Sequence, residues 1–320
     1  MRAFLSLLSL CFLSLLDSSL AVPILEARQS VSTLTAAQVA SYKPYTHYAG
    51  AAYCSPSRTR AWNCGRNCDA RPQFTPIASG GDGAITQYWY VGYDSALRTV
   101  VVAYQGTDPD KFFPLLTNAN FDLKPLSSSL FPGVSSSVRT HDGFGDAHAR
   151  SANAVLSAVR TGLSQYGTNS VTLVGHSLGG ALATIATLHL SVNLPSSTTF
   201  RTVTYGMPRV GNEAFVNLVN SKSVMNRINN KDDLIPIVPG RFLGFAHTEG
   251  EIHIVNNGNW VNCPGQDNTN SQCTIGYVPN IFSGNLNDHG GESPFTRAEW
   301  KYDVLMLYPA GPFDGVNTSC

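Results

Sequence analysis

The residues with the clearest chemical meaning are Gly175-His176-Ser177-Leu178-Gly179-Gly180. A serine framed as G-x-S-x-G between a strand and a helix is the pattern of a nucleophile held at a sharp turn. Side chains at 175 and 179 would clash with neighbouring strands there, and the serine takes a strained backbone. The strain aims the Ser177 hydroxyl out of the sheet, at a helix N-terminus that favours developing negative charge. The chemistry this serves is acyl transfer. With 28 glycines in the chain the motif alone would arise by chance. The apolar strand Val171–Val174 before it and the apolar helix Ala181–Leu190 after it supply the required context.

A serine needs a base, and the base needs a carboxylate to orient it. On a sheet of this type the partners follow in the order serine, acid, histidine. Strand Val224–Ile228 runs into Asn230-Lys231-Asp232-Asp233-Leu234-Ile235-Pro236, a loop at a strand's C-terminal end, where open α/β sheets place their sites. Asp233 borders Leu234 and Ile235 and is the expected buried acid; Asp232, beside Lys231, reads as its solvated neighbour. Three histidines lie beyond. His253 alternates with isoleucines in strand Glu251–Ile254, and His247 reads as a structural loop residue. His289, in Asn287-Asp288-His289-Gly290-Gly291, sits in a glycine-rich loop able to hold an imidazole over Ser177. It is the expected base. His47, His141 and His148 precede the serine, His176 is expected to point away in the turn, and His189 lies on the following helix.

The elements that must position these groups alternate along the chain. An Ala-rich helix is expected over Thr35–Tyr53, broken near Pro44. Tyr88–Val91 and Thr99–Tyr104 read as strands, the second apolar enough to be central. Asp146–Gln165 has helical spacing and stops at Gly167. After the serine turn come strand Phe200–Tyr205, helix Asn212–Val219 and strand Val224–Ile228. Forward-feeding strands and helices predict one α/β domain with a mostly parallel central sheet covered on both faces. Residues 107–137 are irregular, with Pro109, Pro114, Pro125, Pro132 and two Ser triplets, and a loop that long is expected to be a lid or binding loop.

Composition narrows the partners. Lys plus Arg number 21 and Asp plus Glu number 21, so no net charge would draw the 320-residue chain onto nucleic acid or an anionic bilayer. Apolar residues make up 43%, enough for a sizeable core, so the low charge of 13% does not signal disorder. The chain opens Met1-Arg2 and runs uncharged from Phe4 to Leu16, suited to a secretory signal and too short for a bilayer. Cleavage is expected near Ala21, and the mature chain outside the cell; Glu26-Ala27-Arg28, ending in a basic residue, gives only weak grounds for a short propeptide to about residue 28. The remaining domain would span residues 29–320.

Removing that leader takes Cys11 and leaves an even set for disulfides, which six cysteines could pair in 15 ways. Cys64–Cys68 and Cys263–Cys273 each enclose a short turn-rich loop, which by elimination leaves Cys54 to join Cys320. Cys64-x3-Cys68 lacks a second pair that would complete a zinc site, so no metal is expected. Asn317-Thr318-Ser319 is the one N-glycosylation sequon.

Taken in order, a series of short motifs resembles the fungal class 3 triacylglycerol lipases, an α/β-hydrolase family that also holds feruloyl esterases. They are Ala51-Ala52-Tyr53-Cys54, Tyr104-Gln105-Gly106-Thr107, Asn120-Phe121-Asp122-Leu123 and His141-Asp142-Gly143-Phe144, followed by the serine turn. Tyr205-Gly206-Met207-Pro208-Arg209-Val210-Gly211 and Asp233-Leu234-Ile235-Pro236 complete the series, which spans most of the mature chain. The resemblance implies oxyanion donors at the backbone N–H groups of Thr107 and Leu178, supports the Ser177, Asp233, His289 triad and the Cys54–Cys320 pair, and implies no cofactor. It implies ester hydrolysis through an acyl-enzyme, with a lipid or ester substrate met at an oil–water interface. The sequence departs from the family pattern in Asp108-Pro109-Asp110, after the Gly-Thr step.

The lid is expected within about 108–119, where Phe112, Phe113, Leu115 and Leu116 cluster. Two rivals stand beside the lipase reading: an esterase for feruloyl or other soluble esters, and an inactive hydrolase-like binding protein. The apolar cluster favours a lipase over the first, and the intact triad residues disfavour the second.

Overall fold

The computed structural model describes residues 30–107, 121–290 and Cys320. The expected signal segment and propeptide, the lid with Phe112, Phe113, Leu115 and Leu116, and the sequon at Asn317 lie outside the described residues.

The stretch Thr99-Val100-Val101-Val102-Ala103-Tyr104 opens with four β-branched residues and is buried throughout, as a strand covered on both faces must be. Its side chains alternate between two cores. Val100, Val102 and Tyr104 join one cluster with Leu173, Leu182 and Val159, while Val101 and Ala103 join the other with Tyr48, Val174, Val203 and Ile228.

Among the described residues thirteen strands form two sheets. They are β1 (Ser32–Thr33), β2 (Phe74–Gly80), β3 (Trp89–Asp94), β4 (Thr99–Tyr104), β5 (Leu123–Pro125), β6 (Arg139–His141) and β7 (Ser170–His176). Then come β8 (Thr199–Tyr205), β9 (Gly211–Asn212), β10 (Val224–Asn230), β11 (Phe245–Ala246), β12 (Glu251–Ile254) and β13 (Trp260–Cys263). The main sheet runs β1-β13-β12-β10-β8-β7-β4-β3-β2. It is parallel through the centre, from β12 to β4, and antiparallel towards both edges. The C-terminal ends of β4, β7, β8 and β10 therefore open on one side, where the candidate residues lie. A smaller antiparallel sheet, β11-β9-β6-β5, lies within the stretch that connects these strands.

Helix Leu178–Asn193 follows β7 and is buried along almost its whole length, consistent with its apolar sequence on all sides. Helix Ala152–Tyr166 is amphipathic and stops where Gly167 takes φ 58°. Three disulfides, Cys54–Cys320, Cys64–Cys68 and Cys263–Cys273, have Cα separations of 5.5, 5.2 and 5.8 Å. The first joins residues 266 positions apart.

The expected break near Pro44 is present, and one later expectation needs correction. The N-terminal helical region is two helices, Ala36–Ala40 and Lys43–Ala51, and the break precedes Pro44. Pro44 sits in the first turn of the second, where its missing N–H costs nothing. The segment after Asp142 is likewise two helices, Asp142–Ala149 and Ala152–Tyr166. Glycines at 143 and 145 hid the start of the first, because glycine is a poor helix former.

Candidate active site

Strand β7 ends at His176, and Ser177 takes φ 58° and ψ −130° before helix Leu178–Asn193 begins. A left-handed backbone at a non-glycine residue costs on the order of 1 kcal/mol or more and is held only by its surroundings. Here Ser177 donates its backbone N–H to the Tyr205 carbonyl at the end of β8, 2.9 Å away. Two glycines let the turn close. A Cβ at Gly179 would lie 2.2 Å from the Tyr104 carbonyl oxygen of β4, and one at Gly175 only 2.1 Å from the Gly179 oxygen. The clash at 175 is thus with the start of the helix itself, and only the one at 179 is with a neighbouring strand.

Asp233 leaves the end of β10 and is 1% exposed. Its Oδ1 accepts the Ile235 N–H at 2.9 Å, which fixes the carboxylate plane, and its Oδ2 lies 2.8 Å from His289 Nδ1. A carboxylate oxygen accepts, so Nδ1 carries the hydrogen, and in the neutral imidazole Nε2 keeps the lone pair. His289 sits in the single helical turn Asn287–Gly290 and is 2% exposed. The turn is tied to β10 by the Asn230 side chain, whose Nδ2 donates to the Asp288 carbonyl at 3.0 Å.

The structure joins Asp233 to His289 and sets Ser177 close by, next in sequence to His176, whose ring lies 4.7 Å from that of His289. Among the described residues, Ser177 Oγ and His289 Nε2 are both buried and neither has a hydrogen-bond partner. An unmade serine–histidine bond is common in a free hydrolase, since such bonds tighten when substrate arrives. The serine hydroxyl is a donor and the imidazole Nε2 an acceptor, each without another partner among the described residues.

Leu178 is the first helical residue, so its N–H has no carbonyl one turn back to bond. Thr107 follows Gly106, and a Cβ at Gly106 would meet the Tyr53 hydroxyl at 2.2 Å, the His176 carbonyl oxygen at 2.6 Å and Ser177 Cβ at 3.1 Å. The chain leaving β4 therefore passes against the serine, with Thr107 next in line. An anion formed on Ser177 would meet the N–H groups that begin a helix.

The other candidates lie elsewhere. Asp232 is half-buried, and its Oδ2 accepts from Asn256. His247 Nε2 donates to the Pro236 carbonyl at 2.6 Å, and the His253 ring lies between the carbonyls of Gln272 and Lys231. Cys263 and Cys273 lie near the buried Glu251, but their sulfurs are bonded to each other and offer no thiolate. His176 is the correction. Its ring does not point away but packs on His289, with Nε2 2.9 Å from the His289 carbonyl and Nδ1 2.7 Å from the Tyr53 hydroxyl. Burial, with His289 beside it, lowers the His176 pKa to about 3, so the ring is neutral.

A family model described as Lipase (class 3) matches residues 101–243, from β4 through the serine turn to the loop after Asp233. The secreted mono- and diacylglycerol lipase LIP2 of Malassezia restricta is 31% identical over 221 residues, 68% of this chain and 68% of that relative. Secreted mono- and diacylglycerol lipase 1 of Fusarium solani is 31% identical over 230 residues, 68% of this chain and 64% of the other. A solved triacylglycerol lipase whose catalytic centre is described as a serine protease triad superposes with a TM-score of 0.70 at 27% identity. That likeness covers 82% of this chain and 97% of that one. Sequence and fold agree over most of both chains, and the protein belongs to the class 3 lipases, carboxylic ester hydrolases of the α/β-hydrolase fold.

Proposed function

We propose that this lipase hydrolyses acylglycerols, mono- and diacylglycerols foremost, with Ser177 as nucleophile, His289 as base and Asp233 as the group that orients it. The observation that carries the reading is the 2.8 Å Asp233–His289 bond, which orients the ring through Nδ1 and leaves the buried Nε2 unpartnered, as Ser177 Oγ also is among the described residues. His289 takes the serine proton as Oγ attacks the ester carbonyl, and the oxyanion is held by the N–H groups of Leu178 and Thr107. His289 then protonates the leaving glycerol oxygen, and water repeats the sequence on the acyl-enzyme.

The substrate preference rests on the names of the two fungal relatives above. Export is part of the proposal: relatives are named as secreted, and among the described residues no helix is long and apolar enough to cross a membrane. Residues 1–21 are the proposed signal, and the apolar residues Phe112, Phe113, Leu115 and Leu116 the proposed contact with lipid.

The test pairs a label with a panel. An alkyl phosphonate should attach to Ser177 by mass spectrometry, and monoolein and diolein should turn over faster than triolein. Phosphonate on another residue would overturn the triad. Faster turnover of triolein, or of feruloyl esters, would overturn the substrate assignment.

A further inference from the structure

We propose that Tyr53 and His176 form a hydrogen-bonded relay that seats His289: the Tyr53 hydroxyl donates to His176 Nδ1, and His176 Nε2–H donates to the His289 carbonyl. The proposal rests on the reading of His289 as the base, and adds two positioning residues to it.

The directions follow from what each atom can do. The His289 carbonyl oxygen, 2.9 Å from His176 Nε2, can only accept, so Nε2 must carry the hydrogen. A neutral imidazole has one N–H, which leaves Nδ1 as an acceptor needing a donor. The Tyr53 hydroxyl lies 2.7 Å from it. The other neutral tautomer would turn a lone pair of Nε2 against the carbonyl lone pairs and lose that bond. A doubly protonated ring would satisfy both partners, but His176 is only 3% exposed, and burial disfavours the charge. Tyr53 thus selects the tautomer that His289 requires.

The relay matters because the segment bearing His289 is short. Asn287–Gly290 is a single turn, too short to hold its own shape without anchors. Asp233 fixes the His289 ring at Nδ1, and His176 fixes the backbone at the carbonyl. Together with the Asn230 bond to the Asp288 carbonyl, these anchors leave little freedom except at Nε2, the atom that must meet Ser177. The relay is also closely packed, since Gly106 has no room for a Cβ against the Tyr53 hydroxyl and the His176 carbonyl.

A positioning role should appear in kcat and leave substrate binding alone. Tyr53→Phe removes one hydrogen bond and should lower kcat about tenfold, with the KM for monoolein essentially unchanged. His176→Leu should lower kcat further, by about 100-fold, and His176→Gln, which keeps an N–H at the Nε2 position, should recover roughly tenfold of that. The rate of phosphonate labelling at Ser177 should fall by the same factors. Nitrogen-15 NMR of the wild-type imidazoles should show His176 as the neutral Nε2–H tautomer, a readout that needs no activity. His289→Ala is run beside these. If it is inactive while Tyr53→Phe and His176→Leu keep wild-type kcat, the relay is wrong and the base stands. If His289→Ala is active, the underlying base assignment is wrong. An Nδ1–H tautomer at His176 would overturn the relay by itself.

Discussion

Two pairs of close histidine rings lie among the described residues, and they live in opposite surroundings. His176 and His289 are 4.7 Å apart at the open end of the parallel strands; His148 and His189 are 5.2 Å apart, on helices Asp142–Ala149 and Leu178–Asn193. All four are buried. In the first pair a carboxylate, a carbonyl and a phenol fix the nitrogens, and only His289 Nε2 is left over. In the second pair Phe131 packs on both rings, and neither His148 nitrogen has a partner among the described residues. The first pair is oriented; the second fills space. Burial and proximity of titratable groups do not distinguish a site from a core. The direction of the hydrogen bonds does.

The sharpest way to break this comparison is to remove one member of each pair. On the proposed roles His289→Ala and Ser177→Ala should lower kcat about 10,000-fold or more, and Asp233→Asn by a similar factor because it spoils the tautomer. His148→Met, which fills a similar volume without a polar group, should stay within about threefold of wild type. Steady-state hydrolysis of a soluble ester by folded variants, checked by circular dichroism, gives the ratio. Equal damage from His148→Met and His289→Ala would remove the distinction.

What the sequence revealed depended on how local each signal is. The serine turn is legible because strand, glycines and helix are contiguous, and Asp233 because a buried acid beside Leu234-Ile235 stands out from its solvated neighbour Asp232. His289 needed the order of the triad as well as its own loop. The orientation of His176 is not legible, since its partners are 123 and 113 residues away and no local pattern encodes them. Strand β2 has no strand-like pattern in the sequence because Pro76 and Gly80 lie within it; both are tolerated there because β2 is an edge strand. The small sheet escaped notice because its strands run only two or three residues, too short for an alternation to register.

Gly206 tests how finely the first pair is placed. It takes φ 53° just after β8, and a Cβ there would lie 2.8 Å from His289 Nδ1 and Cε1 and 2.9 Å from Asp233 Oδ2. Asp233 is held at Oδ1 by the Ile235 N–H, His289 at its carbonyl by His176, and the two to each other, so they cannot withdraw without breaking those bonds. Gly206→Ala should therefore lower kcat about 100-fold through misplacement of the base, beyond a loss of stability of about 1 kcal/mol from the left-handed backbone. The measurement is kcat together with a urea midpoint. A variant that loses stability but keeps wild-type kcat would show that the pair tolerates displacement.

The smallest effect expected is on stability against pH, and it belongs to the second pair. Burial, with its histidine neighbour, lowers the His148 pKa to about 3; burial, with Arg160 nearby, lowers that of His189 to about 4. In the unfolded chain both return to about 6.5. Between those values the unfolded state binds more protons, so stability rises with pH. It is fully present above about pH 6.5 and is lost as pH falls towards the folded values, at up to about 1.4 kcal/mol per pH unit for each histidine. His47, His141, His176 and His247 are shifted in the same direction by burial, so the wild-type slope is a sum. His148→Met removes one contributor. Urea unfolding at steps between pH 6.5 and 4 should give a line shallower than wild type by up to about 1.4 kcal/mol per unit, while kcat at neutral pH is unchanged. Parallel lines for the two proteins would mean that His148 takes up its proton without unfolding. The pair would then have a polar route to water, and the contrast with the hydrogen-bonded pair at the serine would fail.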